Sequence, residues 1–338
     1  MCFSYHSIFY ILFFVCNIIH SGYKLHDDHE IYYFSSFINK DTFWEILNNF
    51  FNTDGRFRPI HDIHRTIVFY LFKANFFLYY LEYFVLGITS ALLLFFISKR
   101  FLPSFASLLI TAFTLFSCEY NIYWGLGFGE LLCCTLLITT VFFIFYPIKR
   151  FNKLKNILFF VFFILTIYSK ETFLIAGPFI LAIKLLYDSK NLNIKQTIKN
   201  NIGYILFLSF FVILGLVLNV VENNHSNNYT VILQTKEIFT SLIDILCAVK
   251  YLTIEYIMLF VLSIIGYFFI KKEEKLKYLS YILIGTFILL SQLFFLSLFS
   301  KDNIFQIRYL FLRIFRTCYC YTIIGSYAGK FVATISSN

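Results

Sequence analysis

Phe76-Phe-Leu-Tyr-Tyr-Leu-Glu82-Tyr-Phe-Val-Leu-Gly87-Ile-Thr-Ser-Ala-Leu-Leu-Leu-Phe-Phe-Ile97 is a run of 22 residues with one charge. Lipid cannot hydrogen-bond an exposed backbone, so a helix crossing a hydrocarbon core of ~30 Å needs about 20 mostly apolar residues. This stretch supplies them. It stops at Lys99-Arg100, a cationic pair of the kind that retains a helix end on the cytoplasmic side. Glu82 is expensive inside lipid, which makes it a functional candidate in its own right.

The pattern recurs outward from there. Apolar runs at about 5–21, 76–97, 102–118, 128–148, 156–169, 173–187, 202–221, 252–270, 278–299 and 309–332 predict about ten spans. The fifth and sixth are short, which predicts a re-entrant pair or tilted helices in a locally thin region. The 338-residue chain is 59% hydrophobic and only 14% charged, with a mean hydropathy of +0.74. Soluble domains carry about 25% charged residues, so that class is excluded. The ~10-residue alternating segments of a membrane barrel are missing. The expected fold is all-α: a polytopic transmembrane helical bundle forming one membrane-embedded domain over 1–338, without solenoid repeats. The run from Ser7 to His20 lacks a basic flank and a small-residue cleavage site, and is expected to be a retained anchor.

The net charge of +9 does not imply nucleic acid, because the cations sit in short clusters between apolar runs. One set of alternating loops (Lys99-Arg100, 149–155, 188–199 and 271–277) holds thirteen cations against three acids. The other set (22–75, 119–130, 169–172, 222–251 and 300–308) holds eleven against fourteen. By the positive-inside rule the first set is cytoplasmic and the second extracytoplasmic. The eight cysteines contain no C-x-x-C, and most lie in apolar stretches, where a thiol acts as a small hydrophobe.

Residues 22–75 concentrate the polar chemistry, with seven of the nineteen acids and four of the seven histidines. Asp27-Asp28-His29-Glu30 comes within ten residues of the first span. Adjacent carboxylates there suit a general base with a substrate-orienting neighbour, or a divalent metal, and equally a solvated loop. From Asp41, the apolar positions 43, 44, 46, 47, 50 and 51 predict an amphipathic helix with Asp41 as its N-cap and its aromatic face in the lipid headgroups. Asn52-Thr-Asp-Gly55 predicts a turn, and a second helix is expected after Gly55-Arg56-Phe57-Arg58-Pro59, running through His61, His64 and Arg65. His26, His29, His61 and His64 lack the spacing of a zinc motif, although His61 and His64 are i, i+3.

Elsewhere on the expected outer side, Tyr168-Ser-Lys170-Glu171-Thr172 interrupts an apolar hairpin. Charges so close to two spans must line a wet cavity or pair with each other. Ile307-Arg308-Tyr309-Leu310 occupies the last outer loop, and an arginine there either snorkels to headgroups or grips a phosphate. Glu119 and Glu130 lie at the same level, and the Gly125, Gly127, Gly129 run lacks the Lys-Ser/Thr of a phosphate loop.

An early Asp-Asp loop, an amphipathic segment leading to Gly55–Pro59, then Ser169-Lys170-Glu171 with Pro178 beyond, and a late Arg308-Tyr309-Leu310 occur in that order. Over about 1–315, as short motifs and topology, this resembles the GT-C superfamily of integral-membrane glycosyltransferases. Within it, the branch resembled is that of protein O-mannosyltransferases and the aminoarabinose transferases of lipid A. The resemblance implies a GT-C type bundle with interfacial helices in the first extracytoplasmic loop, and a sugar donor carried on polyprenyl phosphate. It further implies transfer to a lipid, glycan or protein acceptor on the extracytoplasmic face of a multi-pass protein, in a bacterial plasma membrane in preference to the endoplasmic reticulum. Asp28 or Asp27 takes the role of base. Lys170 and Arg308 hold the leaving phosphate, with Arg56 and Arg58 doing likewise or fixing the interfacial helices. Glu30, Glu119, Glu171 and Tyr309 complete the substrate-binding set, and a divalent metal is an option for the acidic loop. The competing expectations are a transporter or flippase of lipid-linked saccharide, which places charge at the midplane in two related halves, and a polysaccharide polymerase with a large late outer loop.

Overall fold

The computed structural model describes residues 42–53, 57–73, 75–100, 129–146, 152–188 and 201–225, with a few further positions within 103–112 and 196–199. Regular structure among them is helical throughout, with no strand. The expected spans at 5–21, 252–270, 278–299 and 309–332, and most of that at 102–118, lie outside the described residues.

Helix α1 (Phe43–Thr53) opens on Thr42. The Thr42 N–H donates to Glu45 Oε2 at 2.6 Å, and the Glu45 N–H donates back to the Thr42 hydroxyl at 3.4 Å. This reciprocal capping box makes Thr42 the N-cap in place of the expected Asp41. The Thr42 N–H, and the Thr42 hydroxyl that donates to the same oxygen at 2.9 Å, hold the exposed Glu45 carboxyl below its ordinary range. Helix α2 (Pro59–Phe72) begins with proline, whose missing N–H falls where a helix has no use for one. It ends at Lys73, which takes a positive φ of 49°, and Asn75 then caps α3 (Phe76–Lys99) by accepting from the Phe77 N–H at 3.1 Å. The α1 helix packs on α2, burying Ile46 and setting Phe43 edge-on to Tyr70. On the same helix Trp44 stays 73% exposed.

The α3 helix, about 36 Å long at 1.5 Å per residue, is long and apolar enough to cross a membrane. Then follow α4 (Glu130–Phe145), α5 (Asn152–Ile167), α6 (Glu171–Asp188) and α7 (Ile202–His225). Shorter apolar stretches lie within these four: Leu131–Phe145, Leu154–Ile167, Ala176–Leu185 and Ile202–Leu218. The α4 helix packs against α3, α5 and α6, and α6 packs against α5 and α7. Because α4 is apolar all round, it can be buried all round. Leu131, Cys133, Cys134, Leu137, Val141 and Ile144 all lie in the core, where the two cysteines serve as buried thiols.

Small hydroxyls knit these helices together. Ser90 of α3 meets Thr135 of α4 at 2.8 Å, and Thr140 of α4 meets Thr166 of α5 at 2.9 Å. Thr135 also donates to the Leu131 carbonyl at 2.8 Å, so Ser90 is the donor across the helix pair. Gly177 of α6 lies against Val212 of α7, and Gly215 against Leu174, which lets the two backbones approach. Outward faces carry apolar stripes at helical spacing: Phe77, Leu81 and Val85 on α3, and Ile202, Leu206, Phe210, Ile213 and Val217 on α7.

Candidate functional site

The N-terminus of α2 is the hub of one end of the bundle. Its first turn has backbone N–H groups without intrahelical partners. One of them, on Ile60, donates to the Tyr168 carbonyl in the α5–α6 turn at 3.2 Å. Phe57 sets its ring edge-on to Tyr168 at 5.8 Å, and the Tyr168 hydroxyl donates to the Phe211 carbonyl of α7 at 2.9 Å. Gly129, at the start of α4, lies so close to the His61 ring that a Cβ there would overlap it. The start of α4, the turn between α5 and α6, and α2 therefore meet at one place. At the other end of α4, Lys155 donates to the Ile144 carbonyl at 3.2 Å and Tyr187 to that of Phe145 at 3.3 Å. A cation on the last carbonyls of a helix complements its dipole.

Asp62 is fully buried at the hub, with Arg58 Nε at 3.5 Å from Oδ1 and His61 Nδ1 at 3.2 Å from the same oxygen. Burial holds His61 well below the ordinary imidazole value, and the nearby charges of Arg58, Arg65, Lys170 and His64 push it the same way. The Asp62 carboxylate acts in the opposite sense, but it is shared with Arg58. A neutral His61 pairs with Asp62 by donating from Nδ1, which leaves Nε2 as an acceptor.

Beside the hub, α2, α3 and the start of α4 line a small open pocket. His61, His64, Arg65, Glu82, Tyr79 and Tyr83 line it with Phe69, Leu86 and Leu132. Across it, His64 Nε2 stands 2.8 Å from Glu82 Oε1. The Arg65 guanidinium lies over the Phe69 ring at 5.3 Å. Glu82, the lone charge of the opening stretch, is thus placed at a cavity wall and paired, which relieves the cost of its position.

Of the residues singled out from the sequence, Arg58 and Lys170 both lie within electrostatic reach of His61. Glu171 begins α6, with Lys170 just before it accepting from the Phe173 N–H at 2.9 Å. Asp27, Asp28, Glu30, Arg56, Glu119, Arg308 and Tyr309 lie outside the described residues. Asp62 escaped the sequence reading. Its signal was the i, i+4 spacing from Arg58 on an expected helix, a pairing that stabilises such helices. Gly129 escaped as well, since only the His61 ring gives that glycine a purpose. Among the described residues no group of three His, Cys, Asp or Glu side chains gathers in a metal-binding cluster.

No protein-family model, curated protein or solved structure matches the chain.

Proposed function

We propose that this chain is a polytopic membrane glycosyltransferase of the GT-C type, with about ten spans in one domain. It moves a sugar from a polyprenyl-phosphate donor to an acceptor on the extracytoplasmic face. The observation that carries this reading is the docking of the α5–α6 turn, which holds Lys170, on the N-terminus of α2, which holds Arg58, through the Ile60 N–H and the Tyr168 carbonyl. Displacement at the anomeric carbon builds positive charge on the sugar and negative charge on the departing phosphate. Fixed cations stabilise the leaving group. A carboxylate, Asp28 or Asp27, takes the acceptor's proton, and Arg308 adds to the cations. The apolar stripes on α3 and α7, and the small hydroxyls between α3, α4 and α5, support helices that pack together inside lipid.

Purified full-length protein in lipid nanodiscs, given polyprenyl-phosphate sugars and candidate acceptors, is expected to release polyprenyl phosphate. Asp28→Asn or Asp27→Asn should slow that release by orders of magnitude, and full turnover in both variants would remove them as base. Lys170→Ala and Arg58→Ala should each raise the KM for donor about tenfold or more, as loss of a charge-assisted hydrogen bond does. Passage of unconsumed lipid-linked sugar across liposomes would replace the transferase with a transporter.

A further inference from the structure

We propose that the α1–α2 hairpin is an acid-released strap: when His61 takes a second proton, the N-terminal end of α2 lifts off α4 and the α5–α6 turn, pivoting at Lys73. This goes beyond the transferase reading and does not depend on it. The two ends of α2 are held in different ways. At the N-terminal end the Ile60 N–H donates to the Tyr168 carbonyl at 3.2 Å, Phe57 sets its ring edge-on to Tyr168, and His61 packs on Gly129. The Nε2 and Cδ2 atoms of that imidazole fill the place a Gly129 side chain would take. Nδ1 already serves Asp62, at 3.2 Å from Oδ1. A second proton therefore goes on Nε2 and puts charge into the seam between α2 and α4. Among the described residues nothing accepts a hydrogen bond from Nε2 there. A buried charge without a partner is costly, and lifting the ring into water removes that cost. The small open pocket beside the seam, lined by His61 itself, lets water bring the proton.

The groups around the ring set the sign. Arg58, Asp62, His64 and Arg65 share α2 with it, Lys170 and Tyr168 belong to the α5–α6 turn, and Glu82, Tyr79 and Tyr83 of α3 stand around the pocket. From α4 come the uncharged Gly129 and Leu132. Burial first, and then the cations, hold the docked imidazole well below its ordinary value. Released into water it returns toward 6.5, so acid favours the released form. A proton on His64 works the other way, since it strengthens the contact with Glu82 Oε1 at 2.8 Å.

The C-terminal end of α2 is bolted to α3. Phe69 and Phe72 set their rings against Tyr79, whose hydroxyl donates to the Lys73 carbonyl at 2.8 Å. The Lys73 N–H donates to the Phe69 carbonyl at 2.9 Å. Between those bonds Lys73 takes φ of 49° and ψ of −128°, a conformation that a residue with a side chain adopts only under strain. That strain lies in the three-residue link between two rigid helices, where a pivot belongs. The α1 helix travels with α2, because Phe43 sets its ring edge-on to Tyr70.

The test is a distance measurement by double electron–electron resonance on the full-length protein in nanodiscs. Nitroxides are attached through keto side chains introduced at Ile63 and Val217, both exposed, with a pair at Val85 and Val217 as control. Between about pH 7.5 and about pH 5 the first pair is expected to gain a longer distance. Its ratio to the short distance should rise by up to about thirtyfold, the limit for one proton on a group returning to 6.5, while the control pair holds. His61→Phe keeps a ring in the seam that cannot charge, and should stay docked at both pH values. Gly129→Ala, which displaces the ring, should show the longer distance already at about pH 7.5. His64→Gln should keep the acid response. Lys73→Gly takes a positive φ without strain and should push release to lower pH, and an unchanged midpoint would overturn Lys73 as the pivot. The strap is overturned if wild type gains no longer distance in acid, if His61→Phe responds as wild type does, or if His64→Gln abolishes the response. Release of His61→Phe at both pH values would overturn it too, since the ring's neutrality would then not be what holds α2. So would a parallel change in the control pair, which is general unfolding.

Discussion

His61 shows how far one side chain can be moved by where it is put. In the unfolded chain its imidazole titrates near 6.5, and in the fold burial and four neighbouring cationic groups hold it well below that. Between the two values the folded state binds fewer protons than the unfolded one. The stabilisation is therefore complete above pH 6.5 and is lost as pH falls through the folded-state value. Thermal unfolding should show it: taking wild type from about pH 7.5 to about pH 5, across the range where imidazoles charge, is expected to lower the midpoint. His61→Gln keeps a neutral amide beside Asp62 and should flatten that acid slope. An unchanged slope in the variant would show that His61 carries none of it. The residue was visible in the sequence as one of four histidines in a polar loop. Its shift was not, because that depends first on burial at the hub, and then on charges that include Lys170, remote in the chain and near only in space.

At the scale of elements, the contrast between two glycines measures how tightly α2 is clamped. Gly129 has an ordinary helical backbone, with φ of −60°, so its role is space and not conformational freedom. Alanine there would strike the His61 ring and is expected to cost about 1–3 kcal/mol, as overpacking does. Gly87 in α3 has nothing within 4 Å of an added Cβ, and Gly87→Ala should stabilise by about 0.5–1 kcal/mol through helix propensity. Denaturant unfolding of the two variants should give opposite signs. A stabilising Gly129→Ala would mean that α2 does not press on α4 as described. Element boundaries were largely legible. The expected spans at 76–97, 128–148, 156–169, 173–187 and 202–221 correspond to α3–α7, and the second helix after Pro59 is α2. Apolar runs of that length, bounded by charges and capping residues, leave the backbone little else to form. The amphipathic helix after Asp41 also forms, with Ile46 and Phe43 packed on α2 and Trp44 left exposed, since periodicity marks a face for burial without saying against what.

On the scale of the molecule, the contacts of α2 gather the starts of α3 and α4 and the α5–α6 turn at one end, with Lys155 and Tyr187 at the other. The sidedness expected from the acidic and basic loops is open to a direct test. A short epitope inserted after Lys73 is expected to be reached by antibody on intact cells, and one inserted after Arg100 only after permeabilisation. The reverse pattern would invert the protein and place the His61 hub on the cytoplasmic side. By itself the sequence determined that the described residues form apolar helices, roughly where these begin and end, and which loops share a charge sign. Length, hydropathy and capping act locally, and they are written in order along the chain. Only the tertiary structure decided that the turn before α6, with Lys170, docks beside His61, that Glu82 stands against His64, and that Gly129 makes room for an imidazole. Those are relations between residues on different helices, set by how the helices cross, and no local pattern encodes a crossing.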